Sequence, residues 1–376
     1  MRATWAEVDL GRLRHNVGML RGRLAPGAGL MAVVKADAYG HGAVPAARAA
    51  LEAGAVALGV AILEEGQALR RAGVTAPILV MGWTPASRAA EVVESDLDQA
   101  VFGTEDARAL AAAGRAARRT VRLHAKVDTG MGRLGWPARD DAGAAAAAET
   151  IAGVARLSGA ELVGVFTHFA GADDPALDGA RRQFAAFQTV LAALEAAGVR
   201  PRLRHCGNTA AALRLPETHL DLCRSGVGIY GYAPSPYVPD PGLLPVLSWH
   251  TRVALVKELE PGDAVSYNGT YVAEGRERVA TLPVGYADGF PRALTNLGHV
   301  LVGGLPAPVR GRVCMDQIVV SVQGGVPVRQ GDPVVILGEQ GGAAQWAQDM
   351  ADRLGTISYD ILCGISPRVP RVYRGG

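Results

Sequence analysis

No apolar run in this 376-residue sequence reaches membrane-spanning length. The opening MRATWAEVDL is too mixed in character to serve as a secretory signal. Cysteine is sparse: Cys206, Cys223, Cys314 and Cys363 stand far apart, without the paired spacing of a zinc site. A chain this long can bury a sizeable core without disulfides, so a reducing cytoplasm is the expected setting and no metal is expected. Neither sign of charge dominates. The net charge of +2 argues against nucleic acid or an acidic membrane surface as a partner. Lysine is scarce beside arginine, a compositional bias without functional content, as is the abundance of Ala and Gly. No repeat of solenoid length is present. No GxGxxG follows the first strand candidate, which counts against a dinucleotide fold.

What is present is regular. From about Leu30 to Leu222 eight short apolar runs, LMAVVKA, VALGVA, PILVMG, LDQAVFG, VRLHAKVD, LVGVFTHF, RLRHC and HLDLCRSG, alternate with mostly Ala-rich amphipathic segments. Strand and helix in alternation indicate a parallel sheet covered by helices. Eight strands favour an α/β fold of the (β/α)8 TIM-barrel type over a doubly wound sheet. Past Tyr230, GYAPSPYVPDPGLLP reads as a boundary. Beyond it LSWHTRVALVKEL, VATLPVGYA, HVLVGGLPAPVRGRV, QIVVSV and PVVILG, with little helix, predict a mainly antiparallel β domain. The expected division is a strand in 1–10 joining the C-terminal domain, a barrel over 11–232, and a β domain over 233–376. The opening ATWAEVDL is strand-like and by itself could pair with either domain.

In such a barrel, functional side chains gather at the C-terminal ends of the strands. The polar residues closing the candidates are Lys35 with Tyr39, Lys126, Asp128 and Arg133, His168, His205 with Asn208 and Thr209, and Arg224. Each alone has an ordinary explanation: a snorkelling lysine, a satisfied core histidine, a salt-bridge arginine, a tight turn in CRSGVGIYG. Their joint position at one barrel mouth is what points to chemistry. Glycines beside them let backbone N–H groups approach an anion, as in phosphate sites after late barrel strands. A phosphate-bearing cofactor and a lysine on the first strand together suggest pyridoxal phosphate.

VVKADAYGHG, KVDTGMGRLG, FTHFAGAD, HCGNTAA, RSGVGIYG, GYADGFPR, GRVCMDQ and ISPRVPR, in order over nearly the whole chain, resemble the alanine racemase family. The resemblance implies a barrel holding pyridoxal phosphate, a C-terminal β domain, and a head-to-tail homodimer with shared active sites acting on a small amino acid. Lys35 matches the lysine that holds the cofactor as a Schiff base and acts as one base. Tyr39, Thr209, Gly226, Val227 and Tyr359 match positions around the phosphate, and Asn208 is counted with the cofactor contacts. Arg133 matches a residue at the cofactor's phenolic oxygen and the substrate carboxylate, and Arg224 the partner of the pyridine nitrogen. His168 and His205 match positions linked to that arginine. Tyr267 in AVSYNGTY matches the second base; Tyr286 and Met315 match substrate contacts from the partner chain, with Asp316 beside them. Thr209 stands where Ser is more usual, Asn268 where Gly is common, and Phe290 replaces a frequent Tyr, which bears on pocket size near the entrance.

The implied reaction removes the α-proton of the aldimine from one face and returns one to the other. An unperturbed tyrosine has a pKa near ~10 and is ionised about one part in a thousand at pH 7. Cationic or donor groups such as His168 and Arg224 could favour the phenolate of Tyr267; its ordinary alternative is a core aromatic with a satisfied hydroxyl. Arg224 stays protonated and would keep the pyridine nitrogen unprotonated, restraining side reactions. Lys126 matches a lysine that is carbamylated in some members, and pairing with Asp128 is the alternative. The implied activity is interconversion of L- and D-alanine, supplying D-alanine for peptidoglycan. A broader racemase, for example of serine, or a non-catalytic pyridoxal phosphate carrier are the alternatives.

Overall fold

The computed structural model describes residues 2–324 and 327–375. All eight runs named above form strands. After β1 (Trp5–Asp9) come β2 (Gly29–Val33), β3 (Ala57–Val60), β4 (Ile78–Val80), β5 (Asp98–Val101), β6 (Val121–Asp128), a two-residue β7 (Trp136–Pro137) paired to β6, β8 (Ala160–Phe166), β9 (Leu203–His205) and β10 (Leu222–Ser225). The order β10-β2-β3-β4-β5-β6-β8-β9 is parallel throughout. The seam between β9 and β10 is closed by Asp221 N–H to the Arg204 carbonyl (3.1 Å) and Arg224 N–H to the Gly207 carbonyl (2.9 Å). Every residue of β3, β4 and β5 is buried, as expected of strands covered on both faces.

Inside the barrel Met31, Ala57, Leu79, Ala100, Phe166 and Leu222 form one cluster. Outside β6 and β8 the Ala-rich helices Asp141–Ala155 and Asp178–Ala196 pack through Ala144, Ala147, Ala148, Phe184 and Phe187. Small side chains let these helices approach closely, so the alanine richness has a packing role here.

The chain folds as two compact units. One comprises Leu13–Ala38 and Ala43–Leu244; the other takes the residues through Arg12, Tyr39–Gly42 and the chain from Pro245 onward. In the second unit β1 pairs antiparallel with β11 (Leu247–Arg252) and parallel with the last strand of the chain, Arg371–Arg374. The run LSWHTRVALVKEL is broken at Val253–Ala254: β11 belongs to the larger sheet and β12 (Leu255–Leu259) to a three-stranded one with Glu277–Leu282 and Ile318–Ser321. The run HVLVGGLPAPVRGRV folds back as a hairpin, His299–Val302 against Leu305–Pro308. Its turn is Gly303–Gly304, with φ of 60° and 82°, a conformation open to glycine at little cost. This unit also carries two short helices, Ala347–Leu354 and Ser358–Gly364, where the sequence shows little helix.

Candidate active site

Lys35 leaves the barrel at the end of β2, half-buried. The turn that follows, Lys35–Gly40, is left-handed: φ is 52°, 51°, 55° and 53° at Ala36, Asp37, Ala38 and Tyr39, and 80° at Gly40. Four consecutive L-residues in this region cost about 1–2 kcal/mol each, so surrounding contacts must hold the turn. The Asp37 carboxylate accepts from Ala43 N–H (2.7 Å), and the Val34 carbonyl accepts from Ala38 N–H (2.9 Å). Ala36 is exposed, so trimming its methyl loses no packing. Ala36→Gly is therefore expected to stabilise the protein by about 0.5–1 kcal/mol, the relief of left-handed strain less the entropy of a freer unfolded chain. Thermal unfolding checks this; an unchanged or lower midpoint contradicts the strain.

Arg224, on β10, is buried in a network that fixes its orientation. Its guanidinium donates to His205 Nδ1 (2.8 Å), to the carbonyls of Thr167 (2.8 Å) and Cys206 (3.1 Å), and to His168 Nδ1 (3.2 Å). An arginine can only donate, so both imidazoles must present lone pairs to it. Burial and then the Arg224 charge push the pKa of His168 and of His205 well below the ordinary histidine value, keeping both neutral. Neutral His168 thus provides no cation for a tyrosinate; it can act only as a dipole or donor. His205, accepting at Nδ1, carries its proton on Nε2 and donates to His124 Nδ1 (2.9 Å). His124 Nε2 then faces Asp98 Oδ2 at 3.5 Å. Gly164 makes room for that ring, since a Cβ there would lie 2.2 Å from His124 Nδ1.

Phe166 underlies the same cluster. His205 stacks on it (4.7 Å between centroids, 3° between planes), with Arg224 Cζ and Lys126 Nζ at 5.4 and 5.6 Å from its ring centre. Phe166, His124 and Asp98 went unmarked in the sequence because none of them ends a strand as a polar residue. Lysine scarcity was a usable signal: of the three lysines, Lys35, Lys126 and Lys257, two stand at strand exits of the barrel.

Lys126 is buried, and its pKa is lowered to about 8 by that burial and then by Arg133 and Arg224, with Lys35 adding to the effect. No ion pair joins it to Asp128 among the described residues. The Asp128 carboxylate is occupied by Gly130 N–H (3.1 Å), Gly132 N–H (2.9 Å) and Arg139 (3.0 Å). Burial alone would raise its pKa, and these donors hold it below the ordinary value. Arg133 lies in the exposed loop after β6.

On the neighbouring strand exits, Thr209 Oγ1 and Ser225 Oγ are buried 2.9 Å apart, next to Gly226 and Val227 at the start of a short 3-10 turn. A Cβ on Gly228 would lie 2.6 Å from Thr209 Cγ2 and 3.0 Å from Ser225 Oγ, so only glycine leaves these hydroxyls their place. Asn208 caps the helix Thr209–Arg214, its side-chain oxygen accepting from Ala211 N–H (3.0 Å). Arg133, Arg224 and Lys35 each act on Lys126 as neighbouring cations, and the Asp128 carboxylate that opposes them is engaged by other donors. Hydroxyls beside backbone N–H groups, together with this surplus of positive charge, fit a phosphate-bearing cofactor and a carboxylate substrate. Among the described residues no His/Cys/Asp/Glu group could hold a metal.

In the second unit, Tyr39 is buried against Tyr359 (5.8 Å between centroids), and burial followed by Tyr359 raises its pKa, so its hydroxyl stays protonated. Tyr267 is 70% exposed and is not a core aromatic. It sits between Ser266 (φ 63°) and Asn268 (φ 62°), both left-handed without being glycine. Ser266 Oγ donates to the Arg312 carbonyl (2.8 Å) and lies 3.1 Å from Cys314 Sγ. A concavity of about 460 Å³ is lined by Ser266, Tyr267, Cys314, Met315, Asp316 and Gln317. Asp316 pairs with Arg368 (2.7 Å), and Tyr286 and Met315 are exposed. Phe290 is fully buried, tilted against Trp249 at 6.3 Å, so it fills the core of this unit and lines no entrance.

Residues 8–234 match the family described as alanine racemase, N-terminal domain, and residues 246–373 the alanine racemase C-terminal domain. The chain is 50% identical over 376 residues to the alanine racemase of Symbiobacterium thermophilum, covering 100% of this chain and 98% of that protein. Alanine racemase from the D-cycloserine producer Streptomyces lavendulae superposes with a TM-score of 0.92 at 44% identity, over 100% of this chain and 98% of that one. A histidine racemase from Leuconostoc mesenteroides superposes at 0.88 with 29% identity, over 100% and 98%.

Proposed function

The chain belongs to the alanine racemase family, and on that premise we propose that it interconverts L- and D-alanine with pyridoxal phosphate, using Lys35 and Tyr267 as bases on opposite faces of the substrate. The observation that carries this is Arg224, a buried cation with no ion pair among the described residues, oriented by two neutral imidazoles and two carbonyls. Pyridoxal phosphate, when bound, supplies an aldehyde for the amine groups and a ring that takes up the electron pair left by the departing α-proton. Lys35 would hold the cofactor and move the proton on one face. Thr209, Gly226 and Val227, with Tyr39 and Tyr359, would hold its phosphate, and Asn208 would keep the Thr209 turn in place beside them. Arg133 would take the phenolic oxygen and the substrate carboxylate, its charge set against Lys126. Burial with these cations favours the uncharged amine of Lys126, the form that a carbamate requires.

Arg224 would present N–H donors to the ring nitrogen, which then carries no proton, so the ring would draw the electron pair from Cα less strongly and reprotonation at Cα would be favoured. Arg224→Glu is expected to raise 2-oxo acid formation relative to racemisation; an unchanged ratio contradicts this role.

Tyr267, Tyr286 and Met315 would act in the site of a second copy, in a head-to-tail homodimer with shared active sites. An exposed tyrosine on a strained turn supports that assignment. Among the described residues no disulfide joins the four cysteines, which suits a reducing cytoplasm. Among the described residues no helix is long and apolar enough to cross a membrane.

The structural likeness to a histidine racemase favours a second reading, a broader substrate range on the same scaffold. Racemisation measured over alanine, serine and histidine separates the two: alanine turned over far faster than the others supports the first, comparable rates the second.

A further inference from the structure

The turn after Lys35 leaves the sheet before its backbone is fully paired. Val34 N–H still bonds across to the Gly59 carbonyl (2.8 Å), as β2 and β3 do along their length. In a parallel ladder the next N–H on that side is that of Ala36, and it would continue to β3. The left-handed turn carries it away instead. Its acceptor is a side chain: Glu65 Oε1 takes the Ala36 N–H at 2.6 Å. The other oxygen, Oε2, takes Ala61 N–H at 2.8 Å, just past the end of β3, and lies 3.4 Å from Ile62 N–H. One carboxylate thus bridges the exits of two adjacent strands, at the residue directly following the lysine.

The helix Leu63–Arg71 delivers Glu65 in its first turn, where negative charge and reciprocal capping are both favourable. Capping alone needs only the Ala61 and Ile62 contacts. The bond to Ala36 reaches a different element, and both short bonds require acceptors. A carboxylate offers two; a glutamine of the same shape offers one oxygen and places an NH2 group against the other N–H.

We propose that Glu65 is a positioning residue for Lys35: its carboxylate pins the first peptide of the left-handed turn and so fixes the backbone from which the lysine amine projects. This rests on Lys35 being the cofactor lysine. Glu65 has no part in proton transfer; its effect is on where the amine stands. Misplacement of a reacting group by about 1 Å costs on the order of 100-fold in rate, so a loosened turn should show in kcat.

The experiment uses the holoenzyme carrying Glu65→Gln and Glu65→Ala, with Glu64→Gln as the control. Glu64 is exposed on the same helix and, among the described residues, its ion pair is with half-buried Arg88. Glu65→Gln is expected to lower kcat for alanine at least about tenfold with KM within about twofold, to weaken pyridoxal phosphate binding, and to speed amide exchange at Ala36–Tyr39. Glu64→Gln should leave all three unchanged. A merely capping role would lower the unfolding midpoint and leave kcat, cofactor binding and exchange at Ala36–Tyr39 as in the parent; that result overturns the proposal. If Glu65→Ala does not fold, the isosteric Glu65→Gln still decides. Borohydride fixation of the cofactor in the parent protein keeps the two readings apart. A label on Lys35 with an unaffected Glu65→Gln overturns this inference alone, and a label on another lysine overturns both.

Discussion

Lys35→Ala is expected to fold and to lose racemisation by more than about 10⁴-fold, because in the proposed mechanism it removes both the attachment point of the cofactor and one of two bases. The fold should survive for an electrostatic reason. Lys35 is half-buried at a strand exit, and its positive charge opposes that of Lys126. Removing it relieves repulsion in a group short of anions, so the pKa of Lys126 should rise from about 8. The sign follows from the charge: a neighbouring cation penalises the protonated amine, and its loss favours that form. Activity and cofactor fixation by borohydride, measured beside the unfolding midpoint, check the prediction. Retained turnover with the cofactor fixed elsewhere contradicts it.

Tyr267→Phe is expected to lower kcat for alanine by about 10²–10⁴-fold in both directions, the range for loss of a general acid–base group. Stability should change little, since the side chain is mostly solvent-exposed and its hydroxyl supports no core contact. Lys35 and the barrel contacts of Arg224 remain, so cofactor binding should be kept. Steady-state kcat and kcat/KM from each enantiomer check this; kcat/KM must fall equally in both directions because the equilibrium is fixed, and an unimpaired variant removes Tyr267 from the mechanism.

The barrel was legible because its strands announce themselves. ILV in β4 and ALGV in β3 are buried on both faces and read as unbroken apolar runs between helical segments. Polar residues that end such runs were legible for the same reason, and the structure joins His168, His205 and Arg224 in one hydrogen-bonded network. His124 was not, because it lies within β6 and reaches His205 only through the room left by Gly164 on β8. Nothing in ADAY signals a left-handed turn, since glycine enters only at Gly40 and the conformation is imposed by tertiary contacts. The break at Val253–Ala254 escaped a reading by hydrophobicity because both flanking segments are strands; what changes is the sheet each joins. Phe290 illustrates the limit of motif matching: its place in a family pattern suggested an entrance, while its neighbours put it in a core.

The account turns on two bases serving opposite faces, and solvent deuterium exchange at Cα tests that most directly. With Tyr267→Phe holoenzyme in deuterated buffer, each alanine enantiomer is incubated separately, and label at Cα and inversion are followed together. The enantiomer whose proton faces Lys35 should exchange without inverting, while the other should neither exchange nor invert at a comparable rate. Equal exchange from both enantiomers, or inversion keeping pace with exchange, would mean that a single group reaches both faces and would contradict the two-base assignment.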